Sequence, residues 1–146
     1  MSYKKWFQAQ GGRHKEVVDR LVKKGLDSEE IIEYFDFDNM VQNEPTFCPL
    51  YEEVRKCHNY EKLNCYLCAC PNFRFNDDGI KEIGGKILFS TCSIDSKDGK
   101  QFKNENAIHQ DCSGCLVPHK HEYIKKNFNL NWFIVMDKCD SVVELS

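Results

Sequence analysis

The sequence predicts a small α+β fold. It reads as a metal-stabilised, cysteine-rich domain with few short strands, preceded by a helical hairpin and followed by a helix. Three observations carry this. Nine cysteines occur among 146 residues, none before Cys48 and eight between Cys48 and Cys115. Helical periodicity is confined to the N-terminal third and to a stretch after Pro118. Between them lie short β-rich runs broken by Asp-Gly and Gly-Gly turns.

Taken in order, residues 14–24 are expected to be helical. Val17, Val18, Leu21 and Val22 recur at helical spacing, and Gly25 suits the left-handed position that ends a helix. A second helix starts at Asp27. Asp27 and Glu30 fit a capping box, and Ile31, Ile32, Tyr34 and Phe35 supply an apolar face. Residues 36–45 are polar and are expected to be irregular. Residues 1–46 therefore form a helical hairpin, which must pack on the cysteine-rich domain of residues 47–127 to bury its face. Within that domain Phe73 and Phe75 alternate ahead of the Asp77-Asp78-Gly79 turn. After Gly84-Gly85, residues 86–94 read as one strand with Leu88, Ser90 and Cys92 on one side. Residues 95–106 read as a polar loop. Pro118 is expected in the first turn of a helix running to about residue 127. Residues 128–146 form a C-terminal tail, in which residues 132–136 are a short buried strand or helix end.

Composition excludes several classes. The first ten residues carry charge but no apolar h-region, so no secretory signal is expected. The longest apolar run spans residues 132–136, far short of the roughly 20 residues a membrane helix needs. Charged residues make up 29% and aromatics 12%, too aromatic for a disordered chain. Net charge is −3 with Lys and Arg dispersed, so no nucleic-acid surface is expected. The expected location is cytoplasmic, a reducing compartment in which disulfides are rare. The cysteines then read as metal ligands rather than as a cross-linked framework.

Two turns carry the chemistry: Cys65-Tyr-Leu-Cys68 and Cys112-Ser-Gly-Cys115. A C-x-x-C turn lets two sulfurs converge on one ion at about 2.3 Å each. Cys48, Cys57, His58, Cys70, Cys92 and His119 add donors, enough for two four-ligand sites. On a helix opened by Pro118, His119 and Tyr123 would share a face, while His121 would point about 200° away and into solvent. His58 directly follows Cys57 and is a ligand or a supporting residue. His14 and His109 have no neighbouring donors, and Cys139 reads as a buried small hydrophobe. The histidines favour zinc, in two ions. An iron–sulfur cluster is the alternative, suggested by Cys65-x2-Cys68-x-Cys70-Pro71. Spacing leaves the division of donors open; one expected arrangement pairs the two C-x-x-C turns in one site and places Cys48, Cys57, Cys70 and His119 in the other.

These motifs resemble the family called the cysteine-rich small domain, which is zinc-finger-like and metal-binding. The pieces are Cys48 and Cys57-His58, then Leu63-Asn-Cys-Tyr-Leu-Cys-Ala-Cys-Pro71, then Ile108-His-Gln-Asp-Cys-Ser-Gly-Cys-Leu-Val-Pro-His119 with Tyr123-Ile124. The resemblance covers about half the chain. It implies that Cys48, Cys57, Cys65, Cys68, Cys70, Cys112, Cys115 and His119 bind metal, with His58 and Cys92 as further candidates.

The expected function is a metal-binding module, not an enzyme, whose metal is mainly structural and which meets a protein partner. An iron–sulfur protein in electron transfer or redox sensing, or a metal-dependent enzyme, is the alternative.

Overall fold

The structure is a computed structural model describing residues 3–58, 60–94, 96–112 and 114–140. Asp95 of the expected polar loop, Ser113 of the second C-x-x-C turn and residues 141–146 of the tail lie outside the described residues. The described chain is a small α+β fold with five α-helices and six short strands in two sheets. No described helix is long and apolar enough to cross a membrane.

Helix α1 spans Tyr3–Lys23, starting far upstream of the expected residue 14. Its first turn is capped from elsewhere in the chain. The amides of Tyr3 and Lys4 donate to the Asp77 carboxylate at 3.2 and 3.1 Å, satisfying donors that a helix start leaves unpaired. Gly11 and Gly12 weaken the local helix signal. Gly11 nevertheless has a packing reason: the Phe133 ring lies against it, and a Cβ there would fall 2.2 Å from Cζ. Gly12 has none, since nothing among the described residues lies within 4 Å of its Cβ position. Gly12→Ala is therefore expected to stabilise the protein by about 0.5–1 kcal/mol. Gly11→Ala should not, unless Phe133→Ala clears the space, and thermal denaturation of the three variants checks it. At the other end Gly25 takes φ +85°, with Gly25 and Leu26 amides donating back to Val22 and Leu21 carbonyls.

Helix α2 (Ser28–Tyr34) has the capping box read from sequence. The Glu30 amide donates to Asp27 Oδ1 at 2.9 Å, and the Asp27 amide donates to Glu30 Oε1 at 3.0 Å. Residues 36–45 are not irregular: Phe37–Asn43 forms helix α3. Its Asp and Asn residues mask the signal, but Phe37 and Met40 are one turn apart and both buried.

Strand β1 (Phe73–Phe75) pairs with β4 (Ser90–Cys92) in a two-stranded antiparallel sheet. Strands β2 (Lys81–Ile83), β3 (Lys86–Leu88), β6 (Ala107–Asp111) and β5 (Lys100–Lys103) form the second sheet in that order. Residues 86–94 are thus two strands rather than one. At Phe89 the chain passes from one sheet to the other, its amide bound to Ile108 O and its carbonyl to the Asn76 amide, at 2.9 Å each. Leu88 and Ser90 are buried as the alternation requires. Strand β5 falls in the expected polar loop. All four of its residues are exposed, so no alternation betrays it, and the β6 edge alone recruits it.

The helix expected from Pro118 is also split. Val117–His119 is a 3₁₀ turn with Pro118 near its start, and extended Lys120 precedes α4 (His121–Lys126). Residues 132–136 contain helix α5 (Trp132–Val135), capped by the Asn131 side chain.

One contiguous core joins the N-terminal helices, the cysteine-rich segment and the C-terminal region. It includes Phe7, Leu21, Phe35, Tyr66, Trp132 and Cys139. His14 lies at its centre, fully buried and stacked on Phe35, with a ring nitrogen 3.0 Å from the Tyr66 carbonyl. Burial lowers its pKa to about 3, so the ring is neutral and donates that bond from Nε2. Cys139 is the buried hydrophobe the sequence suggests, at 0% exposure.

Candidate metal centre

The segment Leu63–Leu67 threads the core, and this positions the first C-x-x-C turn. Asn64 is fully buried and bonded on every side. Its Nδ2 donates to the Ile32 carbonyl and to Asp36 Oδ1, while its Oδ1 accepts from the Tyr66 amide. The Cys68 amide closes the turn on the Cys65 carbonyl at 3.3 Å. Next, Ala69 and Cys70 both take positive φ, 92° and 59°. That is costly for residues with a side chain, and the reversal brings Cys68 and Cys70 to one cavity from adjoining positions.

This cavity of about 350 Å³ gathers most of the candidate ligands. Cys57, His58, Cys68 and His119 line it, as do Cys70, Cys92, Cys112 and Cys115. Cys65 is buried outside it, and Cys48 is half-buried against the core. All nine cysteines are free thiols.

Three donors meet closely. Cys57 Sγ and one nitrogen each of His58 and His119 lie within 4.8 Å of one another, the one such group among the described residues. His58 Nδ1 is 3.0 Å from Cys57 Sγ, and His119 Nε2 is 3.8 Å from it. These values bracket the roughly 3.5 Å that separates nitrogen and sulfur ligands of one tetrahedral zinc.

The far side of each ring sets its tautomer. His58 Nε2 lies 2.9 Å from the Cys112 carbonyl, and His119 Nδ1 lies 2.8 Å from the Asn64 carbonyl. Carbonyls only accept, so those nitrogens carry the protons, and the lone pairs of His58 Nδ1 and His119 Nε2 face Cys57. Metal-bound histidines are oriented in this way by a hydrogen bond to the outer nitrogen. His119 is 4% exposed, and burial lowers its pKa to about 4, so it is neutral and fit to ligate near pH 7.

Burial and neighbouring thiols raise the pKa values of Cys57, Cys65, Cys68, Cys70 and Cys112. Cys65 is pushed up to about 12 by burial and by Cys57 and Cys48. Cys68 is raised by burial, then by Cys65, Cys57 and Cys48. Without a cation these thiols keep their protons, and a divalent ion would neutralise the charge that burial otherwise opposes. Tyr51 fits the same picture. Its hydroxyl is buried and has no oxygen or nitrogen partner among the described residues, yet it lies against Cys65.

No family model, no curated protein and no solved structure matches this chain.

His119 joins the group by a route the sequence did not indicate. It sits in a 3₁₀ turn, not on a helix face shared with Tyr123. His121, expected to be solvated, is half-buried and pairs with Asp36 at 2.6 Å. His109 is exposed and stacks on Phe89. Sequence reasoning missed Asn64 and Tyr51, whose roles come from long-range contacts. The one local hint was a polar residue, Asn64, beside the apolar Leu63 and directly before a C-x-x-C turn.

Proposed function

We propose that this chain is a metal-binding protein in which Cys57, His58 and His119 hold a zinc ion, with Cys68 as the fourth ligand. The observation that carries the reading is the pair of imidazoles locked by backbone carbonyls, with their lone pairs turned onto one thiol. Cys68 lines the same cavity and, drawn onto the ion, would complete the four ligands of a closed site.

A closed site favours a structural ion over a catalytic one, which keeps a position open. The ion would join the segment around Cys57 to the turn at His119, two stretches with little regular structure between them. The imidazoles support zinc over an iron–sulfur cluster, whose usual ligands are thiolates. The module would then present a folded surface to a protein partner. A net charge of −3 favours such a partner over nucleic acid.

Metal analysis of the reduced, purified chain tests the assignment. Colourless protein carrying zinc is expected, with one equivalent lost in His119→Ala and in Cys57→Ser. Brown protein containing iron, or variants that keep the full zinc content, would overturn it.

A further inference from the structure

The sheets bring a second set of donors to the same cavity. Cys70 lies just ahead of β1, and the Phe73 amide closes the turn on the Cys70 carbonyl at 3.0 Å. Strand β1 pairs with β4 so that Phe73 faces Cys92, and the Ser93 amide bonds the Asn72 carbonyl at 2.8 Å. Cys92 is thereby fastened beside the Cys70 turn. Strand β4 is tied in turn to β6, whose Gln110 amide donates to Ser90 Oγ at 2.7 Å. Strand β6 ends at Asp111 and delivers Cys112.

The second C-x-x-C turn is closed by the Cys115 amide on the Cys112 carbonyl at 3.0 Å. Ser96 Oγ lies 3.3 Å from Cys115 Sγ. Gly114 packs on the Asp98 carbonyl, where a Cβ would come within 3.1 Å, so the turn fits closely against the 96–99 loop. Four cysteines from three places in the sequence thus line one cavity on a hydrogen-bonded frame.

We infer that Cys70, Cys92, Cys112 and Cys115 form a second, all-thiolate site for a thiophilic divalent ion such as zinc, separate from the Cys57, His58 and His119 centre. The inference extends the metal-binding reading and rests on it.

The electrostatics divide the thiols the same way. Cys112 is pushed up to about 11 by burial and then by Cys70, Cys115 and Cys92. Cys65 and Cys68 instead feel Cys57 and Cys48. Cys68 of the first C-x-x-C turn and the Cys112–Cys115 turn would therefore serve different ions. Four sulfurs at about 2.3 Å from one ion stand about 3.8 Å apart. Binding would thus draw these four in from the cavity wall and tighten the link between the sheets.

Cobalt(II) titration of the reduced full-length chain tests this, because thiolate-to-cobalt absorption scales with the number of sulfur ligands. The wild type is expected to take up two equivalents. Cys92→Ser and Cys112→Ser should each take up one and lose the stronger charge-transfer absorption, while His119→Ala should lose the other ion and keep that absorption. One equivalent in the wild type, or two in Cys92→Ser, overturns the second site. If the serine variants bind no metal because they unfold, Cys92→His decides, since it keeps a donor. Two equivalents with a weakened thiolate band support the site, and an unchanged band overturns it. Full metal retention in His119→Ala would sink the first centre and leave this one standing.

Discussion

Stripping metal from the reduced protein with a strong chelator at neutral pH is expected to destabilise it by several kcal/mol and to expose residues 47–127 to protease. The six strands are three to five residues long, too short to hold this region by pairing alone. Structural zinc supplies roughly 10–16 kcal/mol to isolated fingers, and here part of that would be offset by the helical core, which remains. The sign with pH follows from the thiols. Cys70 and Cys112 are both raised to about 11, chiefly by burial, so each must release a proton to bind. Metal affinity therefore rises with pH and falls as acid is added. His119, lowered to about 4, competes for protons only in strong acid. Limited proteolysis and melting with and without chelator between pH 6 and 8 are the checks, and identical curves would sink the structural role.

Asn64→Ala is expected to cost about 3–5 kcal/mol, since each buried partner left unpaired costs about 1–3 kcal/mol. Three hydrogen bonds are lost together, to the Ile32 carbonyl, Asp36 and the Tyr66 amide. The backbone carbonyl of the same residue orients His119, so metal affinity should fall as well. Urea denaturation with parallel metal titration separates the two effects. A loss below about 1 kcal/mol, less than one buried unpaired group costs, would mean that the surroundings re-pair without it.

Asn64 also marks the boundary of what the sequence could reveal. Features made by neighbours in the chain were legible. The Asp27–Glu30 box, the Gly25 stop and the two C-x-x-C turns depend on a few adjacent residues. Features made by distant partners were not. Helix α1 begins at Tyr3 because Asp77 caps it, strand β5 exists because β6 offers an edge, and α3 forms because Phe37 and Met40 find a core. The same divide runs through the candidate site. Its donors could be named from residue type and spacing, and Cys57, His58 and His119 were all among them. The tautomers of the two histidines could not, because carbonyls of Asn64 and Cys112 decide them. The proposed division of thiols likewise rests on strand pairing, which places Cys92 beside the Cys70 turn.

The cap on α1 also sets an order of events. During synthesis the first helix emerges long before Asp77 is available. Its opening turn stays unsatisfied until the corner between β1 and β2 has formed and docked. Protection of the Tyr3 and Lys4 amides from hydrogen exchange would therefore report a finished fold rather than a finished helix. Any change that loosens the β1–β2 corner should fray a helix 74 residues away.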